Sequence, residues 1–220
     1  MESKRLTLPE QKNYEYAHKF AYQLACEKLA KIKDIEQQCL KCDAQCRVID
    51  DKREIVVRYL NQPYLITLPD IEISLKAGAE EVPLRDKILI LHYFTSAKGT
   101  LPANKMITFR ELPEGSVYFP SFFKRTIKLL LDCFGQDPHL LVDAGEKLGG
   151  YRADYGDAAI TINAFSRVPI TMVLWGGDEE FAPQGSILFD TSISDYLSTE
   201  DITVLCGVIT SRLIKYSKGS

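Results

Sequence analysis

The sequence predicts an α+β fold: a mainly antiparallel sheet packed with helices, opened by a long N-terminal helix and closed by an amphipathic C-terminal one. Three observations predict it. Apolar residues recur at helical spacing near both ends of the chain, over residues 17–39 and 202–213. Between them, runs that alternate apolar and polar residues are separated by short turns, the pattern of hairpins. A hydrophobic content of 45% with 26% charged residues is that of an ordinary globular chain, and 220 residues suffice to bury a full core.

In chain order, residues 13–42 contain neither Pro nor Gly. Ala17, Ala21, Leu24, Ala25, Leu29, Ile32 and Cys39 form a stripe there, which predicts one long amphipathic helix. The period then changes. Arg47-Val48-Ile49 and the run Glu54–Leu60 flank an Asp50-Asp51-Lys52-Arg53 turn. Asn61-Gln62-Pro63 turns the chain into Tyr64–Leu68, and Ile71, Ile73 and Leu75 alternate with Glu72 and Ser74, completing a small meander. Lys76–Glu81, with Gly78 inside, reads as an internal linker. It divides residues 1–80, helix plus meander, from an α+β main body at 81–220, the two forming one continuous domain.

Pro83 suits a first helical turn, and Leu84, Ile88, Leu91 and Thr95 form the face of the helix behind it. Lys105–Glu111 reads as a strand turned by Pro113-Glu114-Gly115. Phe123, Ile127, Leu130, Leu131 and Phe134 predict a helix stopped by Gly135, and Asp137-Pro138 starts another that runs to Leu148. Asp157–Phe165, Val168–Trp175 and Ser186–Asp190 read as consecutive strands. Ser198, with Asp201 three residues on, caps a last helix striped by Ile202, Leu205, Cys206, Ile209 and Leu213.

Charge and composition exclude several function classes. A net charge of −3 argues against nucleic-acid binding, which needs a basic face. No apolar run approaches the roughly 20 residues of a membrane span. The opening Met1-Glu2-Ser3-Lys4-Arg5 has no apolar segment behind it and is not a secretory signal. Six Cys in such a chain read as thiols or ligands rather than disulfides. The expected compartment is the cytoplasm.

Three constellations can carry chemistry. Cys39, Cys42 and Cys46, with Cys26 upstream, have the spacing of thiolates that converge on a soft metal; buried small apolar residues give the same pattern. Asp157, Asp178 and Asp190 border neighbouring strands, where carboxylates can gather around a hard cation or an amine. Arg110 and Glu111 end a strand, and Arg167 lies near the start of one. An Arg held by a carboxylate can receive an anionic ligand, its fork matching carboxylate or phosphate. Trp175 can line a flat-ring cofactor site beside such an Arg. His18, His92 and His139 are isolated, and Gly149-Gly150-Tyr151-Arg152 lacks the Lys-Ser/Thr of a phosphate loop.

Phe109-Arg110-Glu111-Leu112-Pro113, Phe134-Gly135, Leu148-Gly149-Gly150, Gly156-Asp157, Trp175-Gly176-Gly177-Asp178-Glu179-Glu180-Phe181 and Ile187-Leu188-Phe189-Asp190 together resemble the domain-of-unknown-function family numbered 3786. The resemblance runs from about Asn13 and is densest after Ile88. It implies accessory work near redox cofactors, since proteins that look like this occur in anaerobes. Some are fused to an iron–sulfur domain like those of corrinoid-dependent one-carbon enzymes. The leading expectation is an accessory or binding protein for a cofactor or a partner protein. The alternatives are an enzyme using Asp157, Asp178 and Asp190 with Arg110, and a thiolate metal-binding protein using the Cys cluster. Substrate and oligomeric state stay open at this level.

Overall fold

Helix breaks and tight turns, rather than long periodic runs, set the elements. The structure, a computed structural model, describes residues 11–218 and the side chains of residues 16–218; the Met1–Arg5 segment lies outside them. The single N-terminal helix is two. Helix α1 spans Gln11–Ala30 and α2 spans Ile35–Cys42. Asp34 separates them, its carboxylate accepting the Gln37 N–H at 2.8 Å as an N-cap. The break resets the helical phase, so one continuous stripe does not serve both pieces. Ala25 and Leu29 are buried, whereas Ala17 and Leu24 of the expected stripe face outward.

Strands β1 (Gln45–Ile49), β2 (Lys52–Tyr59), β3 (Gln62–Leu68) and β4 (Glu72–Leu75) form the meander. Its two-residue turns place Asp50, Asp51, Leu60 and Asn61 at positive φ, the geometry that matches strand twist in a hairpin. Residues 76–83 carry no helix or strand and lead into α3 (Leu84–Ser96). Strand β5 is only Met106–Thr108, and Phe109–Glu111 is a 3-10 turn rather than more strand. There the Glu111 carboxylate folds back onto the Thr108 N–H at 2.7 Å and its hydroxyl at 2.9 Å.

Two helices replace the one predicted around Phe123: α4 (Gly115–Arg125) and α5 (Ile127–Phe134). Thr126 leaves helical geometry between them, and its hydroxyl donates to the Phe122 carbonyl at 2.7 Å. Helix α6 (His139–Lys147) and the strands β6 (Tyr151–Arg152), β7 (Ala158–Phe165), β8 (Val168–Trp175) and β9 (Gln184–Asp190) follow. Helix α7 (Thr199–Ser217) closes the chain behind the Ser198–Asp201 capping box.

All strand pairs are antiparallel, in the order β4-β3-β2-β7-β8-β9-β5, with β1 on β2 and β6 on β7. Residues before and after position 80 therefore share one sheet. The joint is the Tyr59–Phe165 pair, covered by aromatic packing. Phe165 lies 5.0 Å from Tyr59 and 4.1 Å from Tyr93 between ring centroids, and Tyr93 lies 5.7 Å from Tyr196. Helix α6 lies close on β7 because Gly145 faces Ile160; a Cβ there would fall 2.4 Å from Ile160 Cγ1. Ile202, Leu205, Val208, Ile209 and Leu213 bury the inner face of α7, each full burial contributing about 1.5–3 kcal/mol.

Candidate functional site

The carboxylates of the second constellation do not meet. Asp157 Oδ2 accepts the Gly176 N–H at 2.8 Å, and Asp178 Oδ1 accepts those of Glu180 and Phe181 at 2.9 and 2.7 Å. Both thus serve the loop after β8. Asp190 closes the far end of the seven-residue β9, roughly 20 Å along the strand. It is buried, and its Oδ1 takes the Ala103 N–H at 3.0 Å and the Ser192 N–H at 2.9 Å. Burial works to raise its pKa, but hydrogen bonds from Ser192, Ala103 and Asn104 outweigh that and hold the carboxyl below the usual range.

Arg110 stacks over the Phe119 ring at 3.6 Å, while Glu111, fully exposed, is held below its usual pKa by Thr108. Trp175 ends β8 partly exposed, and Arg167 Nη2 lies 4.0 Å from Asp43. Cys26 lies on α1, Cys39 and Cys42 on α2 and Cys46 on β1. Burial, the largest cause, pushes the Cys39 and Cys42 thiols up to about 12, and Cys42 Sγ donates to the Phe94 carbonyl at 3.3 Å. Among the described residues no three His, Cys, Asp or Glu side chains are placed to hold a metal ion. No described helix is long and apolar enough to cross a membrane.

A different constellation has the stronger physical signature. Asp86, on the first turn of α3, is 1% exposed. Arg212 near the end of α7 donates to its Oδ2 at 3.1 Å, and Arg85 Nε lies 3.4 Å from its Oδ1. The helix dipole favours an anion such as Asp86 in the first turn of α3. The Arg212 guanidinium also sits 5.7 Å from the Tyr59 ring. The Tyr59 hydroxyl is buried with no hydrogen-bond partner, its pKa driven well above the phenol range by burial and then by the Asp86 charge.

Asp86 and Arg212 line a groove of about 610 Å³ between the start of β3, residues 77–83 and the ends of α3 and α7. Gln62, Tyr64, Glu80, Glu81, Lys215 and Tyr216 supply its other polar groups, so carboxylates as well as cations line it. The Arg212 side chain is 30% exposed, so donors not used by Asp86 can meet a ligand. A second concavity of about 630 Å³ between α4 and α7 is less suited. Two of its hydroxyls are engaged, Thr199 with the Pro113 carbonyl and Thr203 with that of Thr199, and Arg125 is a surface cation.

Sequence reading passed over Asp86 and Arg212, although a signal exists. Asp86 is in helical phase with the buried Ile90, Tyr93 and Ala97, and Arg212 with the buried Leu205 and Ile209. A charge in phase with an apolar stripe must be partnered, because burying it alone is prohibitive.

A family model described as "Domain of unknown function (DUF3786)" matches residues 34–212, which include both Asp86 and Arg212. No curated protein matches the chain, and no solved structure does.

Proposed function

We propose that this chain, which belongs to the DUF3786 family, acts as a binding protein whose groove beside Asp86 and Arg212 receives a small cofactor or metabolite through one anionic group of that ligand. One observation carries the reading: a guanidinium fixed by a buried carboxylate, with donors left over, at the floor of a ligand-sized groove. Holding Arg212 in place beforehand removes part of the entropy that a ligand would otherwise spend on ordering it. Lys215 adds a second cation, the Tyr64 and Tyr216 rings offer apolar walls, and Glu80 and Glu81 suit a ligand that also carries an amine or hydroxyl donor.

The role we propose is accessory. The chain would hold the ligand for another protein rather than transform it. All six Cys are unpaired thiols, which supports a reducing compartment such as the cytoplasm.

Calorimetric titration with a panel of small carboxylates and phosphate esters tests the proposal. Wild type is expected to bind at least one of them, and Lys215→Gln, an exposed change that leaves the Asp86 pair intact, is expected to weaken it by about tenfold. Binding that is indifferent to Lys215→Gln and to Gln62→Ala would place the ligand elsewhere.

A further inference from the structure

Away from the groove, the end of α2 and the start of β1 bring two thiols together. Asp43 leaves α2 in the left-handed conformation, and the Ala44 N–H returns to the Cys39 carbonyl at 2.9 Å. The chain thus doubles back, and β1 starts beside the helix it has just left. Cys46 stands opposite the buried Ile55 of β2, so it lies on the face of the sheet that carries that core residue. The other four residues of β1 are exposed, and Cys46 alone is half-buried. Its thiol meets the Cys39 thiol within hydrogen-bonding reach, and the Arg53 charge acts on the same Cys39 sulfur.

The two sulfurs differ in access. Cys39 is 3% exposed, and burial keeps its thiol protonated, which makes it a poor first nucleophile. Cys42, also on α2, is turned to the Phe94 carbonyl, to which its Sγ donates at 3.3 Å. Cys46 is therefore the thiol that a small oxidant reaches first, and Cys39 is the one placed to respond. Among the described residues no third ligand joins them, so the pair suits sulfur–sulfur bonding better than a metal ion.

We propose that Cys39 and Cys46 form a redox-active dithiol, a modification site that a hydroperoxide oxidises to an intramolecular disulfide. The Cys46 sulfur attacks a peroxide oxygen; the O–O bond breaks, water leaves with the thiol proton, and Cys46 becomes a sulfenic acid. The Cys39 sulfur then attacks that of Cys46. The S–S bond forms as the S–O bond breaks, and the departing hydroxide takes the Cys39 proton as a second water. Two thiols are oxidised by two electrons, one peroxide is reduced, and thiol exchange with a reductant reverses the change. The bridge ties edge strand β1 to α2, which is itself held to α3 by the Gln38 amide on the Phe94 and Ala97 carbonyls at 2.6 and 3.1 Å. The site shares no residue with the Asp86 groove and does not depend on it.

Treating the full chain with equimolar hydrogen peroxide, then counting free thiols and mapping peptides by mass, tests this. Two of the six thiols are expected to disappear, with one peptide pair joined through Cys39 and Cys46, and a dithiol reductant should restore both. In Cys39→Ser the sulfenic acid has no resolving thiol, and a cyclic diketone probe should label Cys46. Cys46→Ser, a change at a half-buried position, should slow thiol loss by on the order of tenfold. A bridge from Cys39 to Cys42, a bridge between two chains, or Cys46 carried on to sulfinic acid while Cys39 stays free overturns the proposal. So does thiol loss that proceeds at the same rate in Cys46→Ser.

Discussion

Asp178 and Asp86 are both carboxylates near the beginning of a local turn of chain, and their surroundings differ in almost every physical respect. Asp178 is exposed among Glu179 and Glu180, and its two backbone partners lie within three residues. Asp86 is buried, and its guanidinium partner lies 126 residues away in sequence. The acidic loop draws the eye in a sequence because its charges are contiguous, yet water solvates each of them and salt screens their repulsion. The isolated Asp86 looks ordinary, yet burying a carboxylate is costly enough to require a specific partner. Cost, rather than density of charge, is what singles out the Asp86 region as the candidate site.

The largest effect expected from this contrast is at Asp86 itself. Asp86→Asn leaves Arg212 without its counter-charge and should destabilise the fold by about 3 kcal/mol in urea unfolding. A loss below about 1 kcal/mol would mean that the pair is as weak as a surface ion pair.

Asp190 comes next, as a buried carboxylate whose partners are backbone amides. Asp190→Ala should cost about 1–3 kcal/mol by leaving the Ala103 and Ser192 N–H groups without their acceptor. Its folded pKa is depressed, so its contribution is fully present above the unfolded value near 3.9 and is lost as pH falls through the folded value. The acid limb of a stability–pH curve should therefore be shallower in Asp190→Asn than in wild type.

A smaller and opposite effect is expected behind the Asp86–Arg212 pair. Tyr59→Phe removes a buried hydroxyl that lacks a partner and should raise stability by about 1 kcal/mol. A loss of stability would instead show that a water or ligand bonds that hydroxyl. The smallest effects belong to the acidic loop, where Glu179→Ala and Glu180→Ala should each change stability by less than about 0.5 kcal/mol.

Much of the fold was legible in the sequence because its strands are short, alternating and joined by turn residues. The β2, β3, β7, β8 and β9 strands and the capped α7 all follow from local pattern. Misreadings arose where a single side chain overrides periodicity. Asp34 caps α2 and splits the first helix, Thr126 separates α4 from α5, and Glu111 curls the end of β5 into a 3-10 turn. Helix α4 was hidden by Pro120 within it and by the Pro113–Gly115 turn before it. The site was less legible for another reason. The contiguous Asp178-Glu179-Glu180 run is local, whereas Asp86, Arg212 and Tyr59 come together only through packing of α3, α7 and β2. Only the phase of Asp86 and Arg212 within their helices hints at it.

The central claim, that the Asp86–Arg212 groove and not the acidic loop is the ligand site, is tested most directly by mapping a bound anion. Backbone amide shifts can be followed while the tightest ligand from the carboxylate and phosphate-ester panel is added to wild type. They can then be compared with Lys215→Gln and with the combined Asp178→Asn, Glu179→Gln, Glu180→Gln variant. The account predicts shifts at Gln62, Tyr64, Lys215 and Tyr216, an affinity untouched by the loop variant and a loss of about tenfold in Lys215→Gln. Shifts centred on Gly176–Phe181, with affinity lost in the loop variant and kept in Lys215→Gln, would contradict it.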